Sequence, residues 1–548
     1  MKKIDFLVIF FIIAASFFTL KDLFLPGFYT SHDGPHQVVR AYYFNRLITE
    51  GQIPPRWVGG LNYGFGYPLF IFSYHMPWLI AEPFLLMGFD VFWAIKLTFI
   101  CGFILSGIFM YFYQKSLFGR LPAFIGSLIY LYAPFRFSNI FVRAAIGDAT
   151  AFIFAPLLFW SVDASFRKAS LVKSAAVGLS LTALLLSHAM VSFFYFSAFI
   201  LYVFFLWLFN KNRLKQALYI FLSLVLFVGY SCYYLLPSLI ERSFTKFNST
   251  LGAISSSLNF VPFQKLIYSP WGYGTVDAPA GAMSLAIGIA QLLVALSALI
   301  LIIFRLLKKN SPLKFSTNRG VIFFILFVVT IILMTPVSKP IWLRISKYLV
   351  IDYNWRILNL TVFSASLVAG WLVFSLHKNR LFQAGAGFII LALAFYSNRN
   401  HIRINQSLDW SIPFFLKLEK TTNSFDEYMP KWADNTKIVE NAPRFIPNPE
   451  VIISEVTQKN NLIRFNADVK ETSNLILNSL YYPGWTVYDN NLKKPINFDN
   501  AGLIAFPVEK GSHHIRIVFE KTPLRKYSDL VTILSISLTA VYLLRRYA

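Results

Sequence analysis

Residues 4–47, IDFLVIFFIIAASFFTLKDLFLPGFYTSHDGPHQVVRAYYFNRL, join a long apolar run to a short polar stretch. Two lysines precede the run, which continues to about residue 25 without a convincing small-residue cleavage site. We therefore predict a retained membrane helix rather than a signal peptide. The polar stretch places His32, Asp33, His36 and Arg40 where the chain leaves the membrane. Polar groups at such a position indicate a catalytic site, a transport gate or an interfacial anchor.

The composition of the whole chain indicates that lipid surrounds most of it. Of its 548 residues, 56% are hydrophobic and 14% are charged, and the mean hydropathy is +0.56. A soluble domain cannot bury that much apolar surface. In lipid the backbone must satisfy its own hydrogen bonds, which favours helices, and the apolar runs lack the alternation of β-barrel strands. We predict a polytopic α-helical membrane protein.

Twelve apolar runs are long enough to cross a membrane. They cover residues 5–25, 91–113, 121–136, 149–166, 172–188, 189–209, 216–237, 284–306, 319–335, 355–376, 381–397 and 526–544. Residues 68–88 are also apolar, but their prolines and ionisable residues favour two short interfacial or re-entrant helices. When residues 68–88 do not span, the short basic loops all lie on one side. The positive-inside rule then predicts about twelve spans with both termini in the cytoplasm.

This topology places a long first loop, residues 26–90, and a large polar segment, residues 400–524, on the outer face. In the large segment, period-two alternation and turn residues predict a mostly β domain. The predicted strands are NLIRFNADV, GWTVYD, GLIAFPV and HHIRIVFE, with turns at Gly484, Asn490, Asn491 and Gly511. We therefore divide the chain into a transmembrane module at 1–399, an outer β domain at 400–524 and a final transmembrane helix at 525–548.

The net charge of +24 raises the question of a nucleic-acid partner. The basic residues, however, lie in short loops between apolar runs and form no extended patch with interleaved aromatics. Orientation in the membrane explains them, and no nucleic-acid partner is predicted. Cys101 and Cys232 lie within apolar runs, where small packing residues are common, so no disulfide framework is implied.

Asp33 is the candidate catalytic base, because a carboxylate on the outer face can accept a proton from a hydroxyl. A lone Asp after a span is more often a helix cap or an anchor, but its neighbours His32, His36 and Arg40 favour a site. The i,i+4 spacing of His32 and His36 suits a metal if both are helical. The glycine and proline between them argue against a regular helix. We predict no cofactor, with a divalent metal at this pair as the less favoured alternative.

A second candidate group lies in RFSNIFVRAAIGDATAF, residues 136–152. Arg143 and Asp148 stand just before a span, where an ion pair or a helix N-terminus is the plain interpretation. The functional interpretation is that Arg143 binds a phosphate while Asp148 orients it or binds an acceptor.

Further arginines on the outer face run against the positive-inside bias. Arg242, Arg344 and Arg356 present forks that match phosphate oxygens, although contact with lipid headgroups explains any single one of them equally well. His188, in LLLSHAMVSFF, lies at an outer boundary between two predicted helices. A packed core histidine and a site residue remain equally good interpretations of it.

No Walker loop, GxSxG, HExxH or dinucleotide fingerprint is present. This argues against ATP, NAD and cytosolic nucleotide sugars, which an outer-face enzyme does not reach. A lipid-linked donor is the natural substitute.

Several stretches carry a family resemblance. They are HDGPHQVVRAYYFNRLITEGQIPPRW…GFGYPLF, VRAAIGDATAFIFAPLLFW, LLLSHAM, DEYMPKW and YYPGWTVYDNN…FPVEKGSHHIRIVF. With the predicted architecture, they resemble the GT-C glycosyltransferase superfamily. More narrowly, they are similar to bacterial multi-span proteins sometimes labelled 6-pyruvoyl-tetrahydropterin-synthase-related, although no residues here suit pterin chemistry. The resemblance implies inverting transfer of a sugar from a polyprenyl-phosphate lipid to a glycan, lipid or protein acceptor outside the bacterial cytoplasmic membrane.

The resemblance also implies roles for individual residues. The acidic residue of the first outer loop serves as base in such enzymes, and it maps onto Asp33. Many members carry two adjacent acids there, whereas this chain has one, which favours a monophosphate donor that needs no metal. Arg143 and Arg356, with Arg242 or Arg344 as further contributors, would neutralise the departing phosphate. The residues expected to shape the site or contact the acceptor are His32, His36, Arg40, Asp148 and His188.

Two other functions remain as alternatives. A transporter or flippase of lipids or glycans would also be helical and basic, but the spans carry almost no midplane charge and show no internal repeat. A non-catalytic scaffold would tolerate replacement of Asp33 and Arg143.

Overall fold

The computed structural model describes residues 3–250, 259–307, 319–346, 353–376 and 379–547. Its α-helices are α1 Lys3–Thr19, α2 Gly34–Thr49, α3 Leu69–Phe72, α4 Met76–Leu86, α5 Val91–Phe118, α6 Arg120–Leu131, α7 Pro134–Phe137, α8 Ile146–Arg167, α9 Leu171–Ser187, α10 Ala189–Leu208, α11 Arg213–Glu241, α12 Phe263–Ile267, α13 Ile289–Leu307, α14 Arg319–Met334, α15 Lys339–Ile345, α16 Leu358–Ser375, α17 Arg380–Asn398, α18 Ile412–Leu418 and α19 Pro523–Tyr547. The strands are β1 Phe28–Tyr29, β2 Ser407–Leu408, β3 Val451–Lys459, β4 Leu462–Val469, β5 Ser473–Leu480, β6 Trp485–Asp489, β7 Leu492–Lys494, β8 Asn497–Phe498, β9 Leu503–Val508 and β10 Gly511–Phe519.

The helical membrane fold predicted from the sequence is confirmed. Within the described ranges, eight helices are long and apolar enough to cross a membrane, or nine if α14 and the bent segment after it count together. The other three predicted spans are also helical, but α1 and α9 have 17 residues and α6 has 12. Residues 68–88 contain two short helices, α3 and α4, as predicted.

Three predicted helix boundaries differ from the structure. The first helix ends at Thr19 rather than near residue 25, and a 3-10 turn follows it. The third predicted span stops at Leu131, because Pro134 cannot continue a helix and instead begins the short α7. The helix expected from residue 284 begins at Ile289, after Gly288 with a φ of +112°. A left-handed glycine ends the extended segment there.

Helix α16 lies at the centre of the bundle, where 94% of its apolar span is buried. It packs against α6, α13 and α14. The final helix, α19, is peripheral, with 17% of its apolar span buried, and it packs along α11. The beginning of α16 therefore faces the interior of the protein.

The domain at residues 400–524, which the sequence predicts to lie on the outer face and which we call the outer domain, contains two antiparallel sheets with strand orders β3-β4-β10-β6-β7 and β5-β9-β8. The alternation predicted for NLIRFNADV is present in β4, where Ile463 and Phe465 are buried while Arg464 is exposed. The other three predicted strands are β6, β9 and β10. The predicted turn residues have positive φ values. They are Gly484 at +120°, Asn490 at +47°, Asn491 at +67° and Gly511 at +134°.

The outer domain and the helices are joined by strand pairing and by buried ion pairs. Strand β1, just after the first helix, pairs with β2, just after α17. Gly27 has a φ of +70°, and a Cβ there would lie 2.3 Å from the Leu408 carbonyl oxygen, so this crossing requires glycine. Where the domain ends, the buried Arg525 of α19 pairs with Glu241 of α11 at 2.7 Å and also donates to the Pro483 carbonyl of the domain at 2.9 Å. Arg56 of the first loop pairs with Asp529 of α19 at 2.5 Å.

Candidate functional site

Four helices begin beside one another at one end of the bundle. Asp33 immediately precedes α2, and Asp148 lies in the first turn of α8. His188 immediately precedes α10, and Arg356 lies in the 3-10 turn that leads into α16. Helix beginnings carry partial positive charge, which favours anions at this end. Arg143 lies beside these four residues. The structure thus brings together five of the residues that the sequence singled out.

Asp148 is the centre of this group, which we call the Asp148 cluster (Arg143, Asp148, His188 and Arg356). Its Oδ2 lies 2.8 Å from Arg143 Nη1, and its Oδ1 lies 3.3 Å from Arg356 Nη1 and 3.6 Å from His188 Nε2. The carboxylate of Asp148 is fully buried. Its direct contacts are with the neighbouring cations rather than with solvent. Its role in the structure is to orient the two guanidinium groups.

Arg143 is placed by an irregular piece of backbone. Ser138–Val142 form a π-helical turn, Arg143 follows it, and Ala144 adopts a φ of +52° before α8 begins. A non-glycine residue in this region costs on the order of 1–3 kcal/mol. The guanidinium carbon of Arg143 lies 4.6 Å from the centre of the Trp355 ring, and that of Arg356 lies 5.4 Å from the same ring. Both cations are therefore fixed against one indole.

Asp33 is attached directly to the segment that carries Arg143. Its backbone N–H donates to the Arg143 carbonyl at 2.8 Å, and its Oδ2 lies 3.6 Å from Arg143 Nη2. Arg143 thus stands between two carboxylates, the buried one of Asp148 and the accessible one of Asp33.

The exposure of the side chains decreases in a definite order across the site. Asp33 is 35% exposed, His188 18%, Arg356 11%, Arg143 5% and Asp148 0%. A ligand that enters from solvent therefore meets the carboxylate of Asp33 first and the cations next. The buried carboxylate lies behind the cations.

The two histidines beside Asp33 contact different segments. Because α2 begins at Gly34, His32 lies outside the helix and His36 lies inside it. His32 Nε2 is 2.9 Å from the Tyr273 carbonyl oxygen, while His36 Nδ1 is 2.5 Å from Glu419 Oε2. The helical i,i+4 pair that a metal at these residues requires is not formed. Among the described residues, no group of three or more His, Cys, Asp or Glu suits a metal ion.

The remaining arginines named from the sequence lie apart from the cluster. Arg40 Nε donates to Thr422 Oγ1 at 3.0 Å, and its Nη2 donates to the Thr422 carbonyl at 2.5 Å, so it holds α2 to the outer domain. Arg242 packs over the Phe247 ring at 5.0 Å. Arg344 is exposed on α15. In the part of the chain that the structure describes, neither Arg242 nor Arg344 contacts the Asp148 cluster.

Tyr74 and Trp355 are the site residues that sequence reasoning missed. The Tyr74 ring stacks on His188 with centroids 5.6 Å apart, and the guanidinium of Arg40 lies 5.8 Å from it. Gly147 allows this approach, because a Cβ there would lie 3.0 Å from Tyr74 Cζ. The aromatic stretch SYHMPW contained the signal, but interfacial aromatics are too common to single out one tyrosine.

No protein-family model matches the chain. An uncharacterized protein of Lactococcus lactis subsp. cremoris (strain MG1363) is 24% identical over 253 residues, which are 43% of this chain and 40% of that protein.

Among solved structures, the chain is similar to arabinofuranosyltransferase AftD from Mycobacteria, with a TM-score of 0.46 and 10% identity over 74% of this chain and 27% of that one. It is also similar to the Archaeoglobus fulgidus oligosaccharyltransferase tethered with an acceptor peptide, with a TM-score of 0.44 and 12% identity over 73% of this chain and 55% of that one. The chain spans only part of the length of each of these proteins.

Proposed function

We propose that the chain is an inverting glycosyltransferase. It moves a sugar from a polyprenyl-phosphate donor to a glycan, lipid or protein acceptor on the outer face of a bacterial cytoplasmic membrane. The observation that carries the proposal is the order of exposure in the site. An accessible carboxylate, Asp33 at 35% exposure, stands before two arginines that a buried aspartate orients. The resemblance of the sequence to GT-C enzymes supports the same assignment of Asp33.

In this reaction Asp33 acts as general base. One of its carboxylate oxygens accepts the proton of the acceptor hydroxyl, and the hydroxyl oxygen forms a bond to the anomeric carbon. The bond between that carbon and the phosphate oxygen breaks, and its electron pair leaves with the phosphate. Attack occurs on the face opposite the phosphate, so the anomeric configuration inverts. The sugar must therefore lie between Asp33 and the groups that hold the phosphate, so the 3.6 Å contact between Asp33 and Arg143 must open when the donor binds.

Arg143 and Arg356 neutralise the charge that develops on the departing phosphate. Arg143 Nη1 is fixed at 2.7 Å from Asn139 Oδ1 and at 2.8 Å from Asp148 Oδ2, so its orientation is set before a ligand binds. In the absence of donor, Asp33 balances part of the charge of Arg143. When the donor separates the two side chains, the phosphate takes the place of Asp33 beside Arg143. Arg242 and Arg344 take no part in this step, and the reaction as proposed uses no cofactor.

The experiment measures sugar release from a panel of radiolabelled polyprenyl-phosphate sugars by the purified full chain, with bacterial membrane extract as acceptor. Loss of a general base typically lowers the rate 10²- to 10⁴-fold, so we expect Asp33→Asn to lose at least about 100-fold in turnover while it still binds the donor lipid. Asp277→Asn, an exposed carboxylate of another outer segment, is the matched control and should keep wild-type turnover.

Equal turnover in the wild type and Asp33→Asn would remove Asp33 as the base. Movement of the intact labelled lipid across a vesicle membrane without sugar release would instead support the transporter alternative.

A further inference from the structure

Two polar side chains, the neutral Gln37 and the cationic Arg40, follow Asp33 along one face of α2. Asp33, Gln37 and Arg40 follow one another at helical spacing, and the Gln37 N–H donates to the Asp33 carbonyl at 3.0 Å. Gln37 is only 3% exposed, and its Oε1 has no hydrogen-bond partner among the described residues. A buried polar atom without a partner costs free energy unless something else satisfies it.

Tyr74 faces this side of α2 and is held in one orientation. Its ring stacks on His188 at an interplanar angle of 29° and on Trp78 at 14°. Two stacked neighbours leave the hydroxyl edge, rather than a ring face, as the part that is able to contact a ligand. The carbon that bears the hydroxyl lies against Gly147, next to Asp148. The hydroxyl therefore lies at the edge of the Asp148 cluster, near Asp33.

The chemistry of this edge differs from that of the arginines. Burial raises the pKa of Tyr74; Arg40 lowers it, Asp33 and Asp148 raise it further, and a hydrogen bond from Gln37 lowers it. The phenol therefore stays protonated at neutral pH and offers a neutral donor beside a neutral amide. Phosphate oxygens attract the guanidinium groups, whereas sugar hydroxyls exchange hydrogen bonds with neutral groups of this kind.

We infer that the Tyr74 hydroxyl, supported by Gln37, binds a hydroxyl of the donor sugar and contributes to the choice of sugar. The inference rests on the proposed function, which places the sugar between Asp33 and the arginines. It predicts that affinity for the sugar and affinity for the lipid phosphate depend on different residues.

The experiment compares two kinds of ligand in detergent by isothermal titration calorimetry. One is undecaprenyl phosphate, and the other is the same lipid carrying glucose, galactose, mannose or arabinofuranose. Wild type should bind one sugar-bearing lipid more tightly than the bare lipid. Tyr74→Phe keeps the ring and removes only the hydroxyl. It should lower the affinity for that sugar-bearing lipid about fivefold and leave the affinity for the bare lipid unchanged. Gln37→Leu should weaken the same ligand. Tyr42→Phe, which removes a tyrosine hydroxyl from α2, the helix of Gln37, is the matched control and should leave both affinities unchanged.

Equal weakening of both lipids by Tyr74→Phe would overturn the inference, and so would unchanged affinity for the sugar-bearing lipid. A wild type that binds no sugar-bearing lipid more tightly than the bare lipid would overturn it as well. A Tm equal to that of wild type shows that Tyr74→Phe remains folded.

These results are separable from the fate of the proposed reaction, because binding does not require turnover. Selective loss in Tyr74→Phe without turnover from any donor would leave the sugar contact standing and the reaction refuted. Turnover that depends on Asp33, with unchanged sugar affinity in Tyr74→Phe, would support the reaction and refute the sugar contact.

Discussion

Helix α8 carries a buried aspartate near each of its ends, and their surroundings differ. Asp163 accepts from Tyr202 Oη at 2.6 Å and from Tyr113 Oη at 3.1 Å, and it pairs with Arg319 Nε at 3.2 Å. One anion there meets one cation and two neutral hydroxyls, so its hydrogen bonds are satisfied within the protein. Asp148, at the other end, meets two guanidinium groups and an imidazole.

Burial alone therefore does not identify a site on this helix. Asp148 is 0% exposed and Asp163 is 3% exposed, so both are equally enclosed. What differs is that Arg143, one of the cations around Asp148, also approaches an accessible carboxylate, that of Asp33. A closed ion pair stabilises the fold, whereas cations that a buried anion orients toward an accessible group are able to act on a ligand.

The strongest test replaces each aspartate by its isosteric amide. Asp148→Asn removes the anion between two nearly buried arginines, so we expect a loss on the order of 3–5 kcal/mol in unfolding free energy. We also expect turnover per folded molecule to fall more than about 100-fold, because the cations lose their orientation. Asp163→Asn should lose comparable stability but keep turnover per folded molecule. Denaturant unfolding and sugar release, measured on the same preparations, check both expectations.

If Asp163→Asn loses turnover as severely as Asp148→Asn, both ends of α8 matter equally and the distinction between them is wrong.

A buried histidine near Tyr74 predicts a pH dependence that belongs to the fold rather than to the site. His75 hydrogen-bonds the Phe70 carbonyl at 2.7 Å, and burial lowers its pKa from 6.5 to about 4. As the pH falls, the unfolded chain takes up a proton at His75 before the folded chain does. Stability is therefore complete above pH 6.5 and is lost progressively toward pH 4, by about 3 kcal/mol in total.

Denaturant unfolding between pH 7.5 and 4 measures this slope, with His75→Gln as the control that should flatten it. A slope that is the same in wild type and His75→Gln would show that other groups cause it.

The smallest expected effect separates arginine geometry from arginine charge. Arg356→Lys keeps the charge but loses the planar fork, so we expect the KM for the donor lipid to rise about tenfold with little change in Tm. Arg319→Lys makes the same exchange beside Asp163 and should leave the KM unchanged. Steady-state kinetics with a varied donor concentration provide the measurement. A rise in KM of equal size in both variants would show that the effect is general and not specific to the cluster.

Sequence reasoning selected residues that the structure brings together, because membrane topology constrains which helix ends are neighbours. Asp33, Asp148, His188 and Arg356 all lie at helix ends that the charge of the loops assigns to one face. Residues at the same ends of neighbouring helices meet even when they are far apart in the chain. Each predicted span contains a helix, because the apolar runs are long.

The directions of the side chains were beyond the sequence. His36 contacts Glu419 and Arg40 contacts Thr422, and the positions of both partners depend on how the outer domain packs on α2. The exposure order of the site likewise depends on packing. Asp148 and Asp163 are the same residue type, so the sequence alone does not distinguish their surroundings. The role of Tyr74 depends on the bare backbone of Gly147, which no local pattern reveals.

The pairing of β1 with β2 has a consequence for how the protein is made. The Thr30 N–H donates to the Gln406 carbonyl at 2.9 Å, so the strand that leads into Asp33 obtains its partner only after about 400 residues have been synthesised. A ribosome that stalls before that point leaves the first helix in the membrane with this strand unpaired. Completion of the site is therefore a late event in biogenesis, and truncated nascent chains do not carry a finished one.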